Sequence, residues 1–224
     1  MGDGVQHGLD ELLARQTRRW QIEGGAGMPR PLGPVVACAR WPGAAGEEIA
    51  EQVAAWLDYG LFGAETIDRI AADQGARQRL TAGLDAARRA ALVEQIEEAD
   101  ARAPGASREL VEVVATLGAR GMAVILGRGA AVILPPARAL RVLVVAPRAV
   151  RVERLAAGRE IPLSEAEACL ASADAARRAA LSERFGIAAE DVSHYDLVLN
   201  TEALSVDAAA ALTVDALRRR FSVR

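Results

Sequence analysis

Val35-Val36-Ala37-Cys38, followed after Ala39 by Arg40-Trp41-Pro42-Gly43-Ala44-Ala45-Gly46-Glu47-Glu48-Ile49-Ala50, is the stretch whose reading decides the fold. A short apolar run gives way to a glycine-bounded loop. A helical pattern follows from Glu47 to Tyr59, in which Ile49, Val53, Trp56 and Leu57 form one apolar stripe. Strand, glycine loop and helix in this order are the plan of a phosphate cradle, where N–H groups at a helix start face an anion. A working cradle also supplies a cation for the phosphates and a hydroxyl for magnesium. Here those places hold Ala44, Ala45 and Glu47. Glu47 and Glu48 sit where they satisfy the helix dipole themselves. Two readings of Gly43, Ala44, Ala45, Gly46 and Glu47 stay open: a fold-defining turn that binds nothing, and a weakened phosphate site helped by Arg40.

Outward from this stretch, strands and helices alternate. Ala123–Leu126, Leu140–Val145 and Asp196–Asn200 are further apolar runs, the second continuous in the way a parallel sheet buries on both faces. Residues 64–100 read as helical throughout. Ser107 caps a helix running to about Arg120, with Leu110, Val113, Val114 and Leu117 inward and Gly121 as its stop. Pro147 starts a helix carrying Arg148, Arg151 and Arg154, Ser164 another, and Ser205 to Phe221 closes the chain. Leu9, Leu12, Leu13, Gln16 and Trp20 make an N-terminal amphipathic helix, and Gly24 to Gly33 reads as a loop. That helix is expected to be an appendage, and is the candidate surface for a second copy or a partner protein. The pattern predicts an α/β fold, a parallel sheet flanked by helices, with ligands at the carboxyl ends of its strands.

With 224 residues and 51% hydrophobic content, one sizeable core is expected. The net charge of -3 gives no basic face for nucleic acid. All 27 basic residues are arginine, so an arginine alone signals little. No charged-then-apolar leader and no run long enough to span a bilayer is evident, which predicts a cytoplasmic chain without membrane contact. Cys38 and Cys169 form no CxxC pair, and His7 and His194 have no ligand-spaced neighbours, so no metal site is expected.

Four segments in order, Pro34–Ala50, Ala123–Ala130, Arg141–Pro147 and Tyr195–Thr201, resemble the cytidylate kinase-like family, which has the P-loop NTPase fold. Arg19-Trp20 and Leu204–Ala209 look like members of the group as well. The resemblance implies an N-terminal helix and linker over 1–33 and a kinase-like domain over 34–224. Within that domain it implies a nucleotide-binding helical insertion over 64–105 and a lid region over 148–185. It implies ATP and Mg²⁺ as cofactors if the protein is active, and none otherwise. The acceptor would be CMP or dCMP, with charge on the transferring group stabilised by the protein. Arg128 would contact the monophosphate nucleotide, Arg151 and Arg154 would reach the phosphates from a mobile lid, and Arg159, Arg177 and Arg178 would lie at the nucleotide. For Asp174, Arg177 and Arg178, a surface helix with charge pairs at helical spacing is the favoured alternative. Family members read Gly-Ser-Gly-Gly-Arg where this chain reads Gly43-Ala44-Ala45-Gly46-Glu47, and Phe-Asp where it reads Phe62-Gly63. These departures touch both nucleotide sites. A nucleoside monophosphate kinase and a pseudokinase that binds nucleotide or protein are therefore the two expectations, the second favoured.

Overall fold

The apolar runs form strands β1 (Val35–Arg40), β3 (Ala123–Leu126), β4 (Ala139–Val145) and β5 (Leu197–Asn200), joined by a short β2 (Gly60–Phe62). All pairs are parallel, in the order β2-β3-β1-β4-β5. The computed structural model describes residues 3–23 and 33–222; of the loop expected over 24–33, residues 24–32 lie outside the described residues. β1 runs in the middle, with Val35 beside Ala123 and Cys38 beside Leu126. In this register β1 runs two residues past the end of β3. The loops that follow them open side by side at the carboxyl edge, the usual ligand position in such sheets.

The helices are α1 (Asp3–Glu23), α2 (Gly46–Leu57), α3 (Ala64–Ala72), α4 (Gln74–Thr81), α5 (Ala86–Arg102), α6 (Arg108–Arg120), α7 (Ala130–Ile133), α8 (Arg148–Arg159), α9 (Leu163–Phe185) and α10 (Val206–Phe221). Alternation along β1 divides the core in two. Val35 and Ala37 face a large cluster built with α1, α3 to α6 and the end of α9. Val36 and Cys38 face a smaller one closed by α2 and α10. On α2 the buried stripe is Ile49, Ala50, Val53 and Ala54; Trp56 is 47% exposed, because a residue three past Val53 already lies at the edge of the buried face.

The helical stretch read over 64–100 is three helices rather than one. Asp73 accepts a hydrogen bond from the Ala76 N–H at 3.1 Å, and Asp85 one from Arg88 at 2.8 Å. Each aspartate starts a new helix by capping its free amides. Ser107 caps α6 and Ser205 caps α10 in the same way.

The N-terminal helix is not an appendage. Leu9, Leu13 and Trp20 are buried in the large cluster. Gln16 donates to the Met122 carbonyl and the Trp20 indole to that of Gly121, both at 3.1 Å. Arg120 stacks on the Trp20 ring 4.3 Å from its centroid. Both turn residues have positive φ, Gly121 at 79° and Met122 at 54°. At Gly121 a Cβ would collide with the Gly33 carbonyl, so α1 grips a turn that only glycine can make. Among the described residues no helix is long and apolar enough to cross a membrane.

Candidate functional site

The loop after β1 is a tight turn from the strand into α2. Trp41 donates its N–H to Val144 at 3.0 Å, and Ala44 donates back to Trp41 at 3.1 Å. Gly43 turns at φ 76°, where a Cβ would sit 2.8 Å from the Arg151 carbonyl. Gly46 packs on the Arg40 stem with no room for a Cβ. Between them Ala45 caps α2 in the left-handed region, φ 59° and ψ 27°, with no side-chain cap. An L-residue pays steric strain there of about 1–2 kcal/mol that glycine avoids.

The side chains tell a different story. Ala44 is 1% exposed, a buried methyl packed in the turn. Glu47 accepts a hydrogen bond from Arg40 at 2.6 Å, and both line the cleft. The cation and the anion of the loop thus neutralise each other, and Glu48 adds a second negative charge to the wall. Cys38 lies beneath the loop; burial pushes its thiol up to about 12, against the opposing pull of Arg40. It is a neutral packing group rather than a nucleophile.

The loop after β3 is Gly127-Arg128-Gly129, with φ of 84°, 51° and 71° in succession. Left-handed backbone at a non-glycine residue is uncommon and costs about 1–3 kcal/mol. It is held here because Gly127 donates to the Cys38 carbonyl at 2.9 Å and Gly129 packs so close to the Phe185 ring that no Cβ fits. The result aims Arg128 into the cleft, where it pairs with Asp68 of α3.

A cleft of about 830 Å³ lies between these two loops and helices α8 and α9. Of the predicted residues, Arg40, Gly43 to Glu47, Arg128, Arg154, Arg159 and Arg177 all line it. Arg151 does not, contrary to the lid expectation. It is 7% exposed and forms a two-bonded ion pair with Asp174 at 2.7 and 3.0 Å. Its remaining donors reach the carbonyls of Ala146 and Pro42. Arg151 therefore ties α8 and α9 to the loop, and Asp174 is a core partner instead of a surface charge. Arg178 also turns away, to Glu190 at 2.6 Å. Arg154 donates to the hydroxyl and carbonyl of Thr201 at 2.8 and 2.6 Å. Arg177 reaches the Tyr195 hydroxyl at 3.5 Å, and the Trp41 ring lies 5.0–5.3 Å from the guanidinium carbons of Arg151, Arg177 and Arg178. Sequence reasoning missed the roles of Asp68, Thr201, Trp41 and Arg184. Arg184 also lines a neighbouring cleft of about 690 Å³ beside α3, where Asp68, Arg77, Ser107 and Glu109 offer both donors and acceptors.

With this geometry in view, comparison with known proteins is specific about the family and silent about activity. The model of the cytidylate kinase-like family matches residues 35–203. No curated protein matches. A crystal structure of an uncharacterized protein from Eubacterium ventriosum superposes with a TM-score of 0.60 at 17% identity, covering 82% of this chain and 98% of that one. At that identity it shows the fold alone. TT1252 from Thermus thermophilus, also 17% identical, aligns over 84% of this chain and 97% of its own, with a TM-score of 0.39. The matched region begins at β1, so α1 lies outside it.

Proposed function

The chain belongs to the cytidylate kinase-like family, and from that premise we propose that it binds a nucleoside monophosphate of the CMP type without transferring phosphate to it from ATP. The observation that carries this reading is the Arg40–Glu47 pair closing the phosphate loop. A triphosphate in that loop would meet Glu47 and Glu48, and to win Arg40 it would have to break an existing ion pair. The residues present do not fit Mg·ATP: no basic residue stands at the start of α2, and Glu48, at the next position, offers magnesium no hydroxyl. The other side of the cleft keeps the groups a monophosphate needs. Arg128 presents a planar guanidinium suited to two-bonded phosphate contact, with Arg177 and Arg184 on the facing wall. The adjoining polar cleft next to Asp68 and Arg184 is where the nucleoside would extend.

The test is a transfer assay with ATP, Mg²⁺ and CMP, run on the natural chain and on a variant carrying Ala44→Ser, Ala45→Gly and Glu47→Arg. The natural chain should form no CDP above background, and the triple variant should gain ATP affinity. Turnover by the natural chain at about 1 per second or more, the range of working kinases, would overturn the reading.

A further inference from the structure

Arg40 and Arg128 both line the cleft already bound to carboxylates, Glu47 and Asp68. Each must surrender an ion pair before it can serve a ligand. Arg154 differs. Among the described residues it has no carboxylate within ion-pair distance; it bonds only the neutral oxygens of Thr201. Its charge is therefore uncompensated nearby, and its position is fixed by two hydrogen bonds. Thr201 is itself fixed. It is 2% exposed, and its amide donates to Val145 at 2.9 Å. Its hydroxyl has one proton, which reaches the Ala44 carbonyl of the phosphate loop at 3.0 Å, with the Val145 carbonyl a second acceptor at 3.3 Å. The hydroxyl lone pair left over accepts from Arg154. One buried side chain thus joins the end of β5, the loop after β1 and the arginine of α8.

We propose that Thr201 is a positioning residue that holds Arg154 ready as a preset cation of the cleft for the phosphate of its monophosphate ligand. This deepens the reading above and rests on it, because it assumes that the cleft takes a phosphate-bearing ligand. A cation fixed before the ligand arrives contributes more than a flexible one, since the ordering has already been done. Thr201 supplies two separable things: an acceptor for Arg154, and a donor that keeps the Ala44 carbonyl from turning into the cleft, where it would repel a phosphate.

The experiment is calorimetric titration with CMP of the natural full chain and of T201V, T201S, R154Q, R154K and R128Q, with thermal unfolding of each. T201V keeps the shape and loses the hydroxyl; it should bind CMP about tenfold more weakly, and T201S within about threefold of the natural chain. R154Q should match T201V, and the double variant R154Q/T201V should be no weaker than R154Q alone, because both remove one coupled unit. R154K keeps the charge without reaching both Thr201 oxygens, and should lose about fivefold. That arm stands even if T201V fails to fold. A threonine with a purely structural role would lower the unfolding temperature of T201V and leave CMP affinity untouched; that result, or R154K equal to the natural chain, overturns the proposal. If R128Q loses CMP while R154Q and T201V do not, the binding reading stands and this inference falls. If the natural chain does not bind CMP, both fall.

Discussion

The two loops that frame the cleft are built alike and charged in opposite senses. Each follows a central strand, β1 or β3, and each enters a helix through a left-handed residue without a side-chain cap, Ala45 or Gly129. The loop after β1 carries an acid, Glu47, that holds an arginine from its own strand. The loop after β3 carries an arginine, Arg128, held by an acid from α3. The same backbone frame therefore supports an arginine folded back onto its own loop's acid on one side and an arginine paired with a separate helix on the other. Fold and chemistry are separable here: the glycines that close approach requires survive at Gly43, Gly46, Gly127 and Gly129, while the groups that would handle a triphosphate do not.

The largest effect expected from breaking this frame is at Arg151. Replacing it by methionine leaves Asp174 charged, buried and unpaired, a loss of about 3–5 kcal/mol in urea unfolding. R151M combined with Asp174→Leu should recover most of it, because what costs stability is the abandoned charge rather than the missing bond. Next comes Gly129→Ala, which puts a methyl into the Phe185 ring at a left-handed position. Roughly 2–3 kcal/mol of stability should be lost, together with Arg128-dependent binding. The comparison is sharpened by R128Q against E47Q. The first should weaken CMP binding about ten- to a hundredfold, the loss of a charge-assisted bond, whereas the second should leave CMP affinity unchanged or better. Ala45→Gly should stabilise the chain by about 0.5–1 kcal/mol, the relief of left-handed strain offset in part by unfolded-chain entropy.

The smallest effect lies away from the cleft, at the entrance to β5. Burial pushes the Asp196 carboxyl up, but hydrogen bonds from the Arg141 side chain and amide, the charge of Arg141 and a hydrogen bond from Arg220 outweigh it and hold the group below the usual aspartate range. A depressed carboxylate contributes stability that is present above the unfolded value near 3.9 and is lost as pH falls through the folded one. Asp196→Asn should therefore lower stability at neutral pH and flatten its decline below about pH 4, read from unfolding midpoints against pH.

How much of this was legible in the sequence follows from where each signal resides. β1, β3 and β4 are buried on both faces or nearly so, and they read as continuous apolar runs; β5, at the sheet edge with only Leu199 buried, reads as an apolar run by composition alone. β2 has three residues, one of them Gly60, and α7 has four; neither is long enough to show a period. The breaks at Asp73 and Asp85 were present as capping residues, but a strong helical composition on both sides hid them. At the site, the two loops were readable as motifs because their glycines are local requirements. The pairings were not. Arg151 meets Asp174, Arg154 meets Thr201 and Arg128 meets Asp68 across separate elements, and no local pattern distinguishes such an arginine from a solvated one. With 27 arginines in the chain, the family resemblance placed Arg151 in a lid when its environment is the interior.

The most direct test of the central contrast is calorimetric titration of the natural chain, first with CMP and then with Mg·ATP. Heat with CMP and none with Mg·ATP is the predicted result, consistent with one binding wall and one closed by Glu47. Micromolar binding of Mg·ATP would contradict it, since it would mean that the loop after β1 still cradles a triphosphate despite Ala44, Ala45 and Glu47.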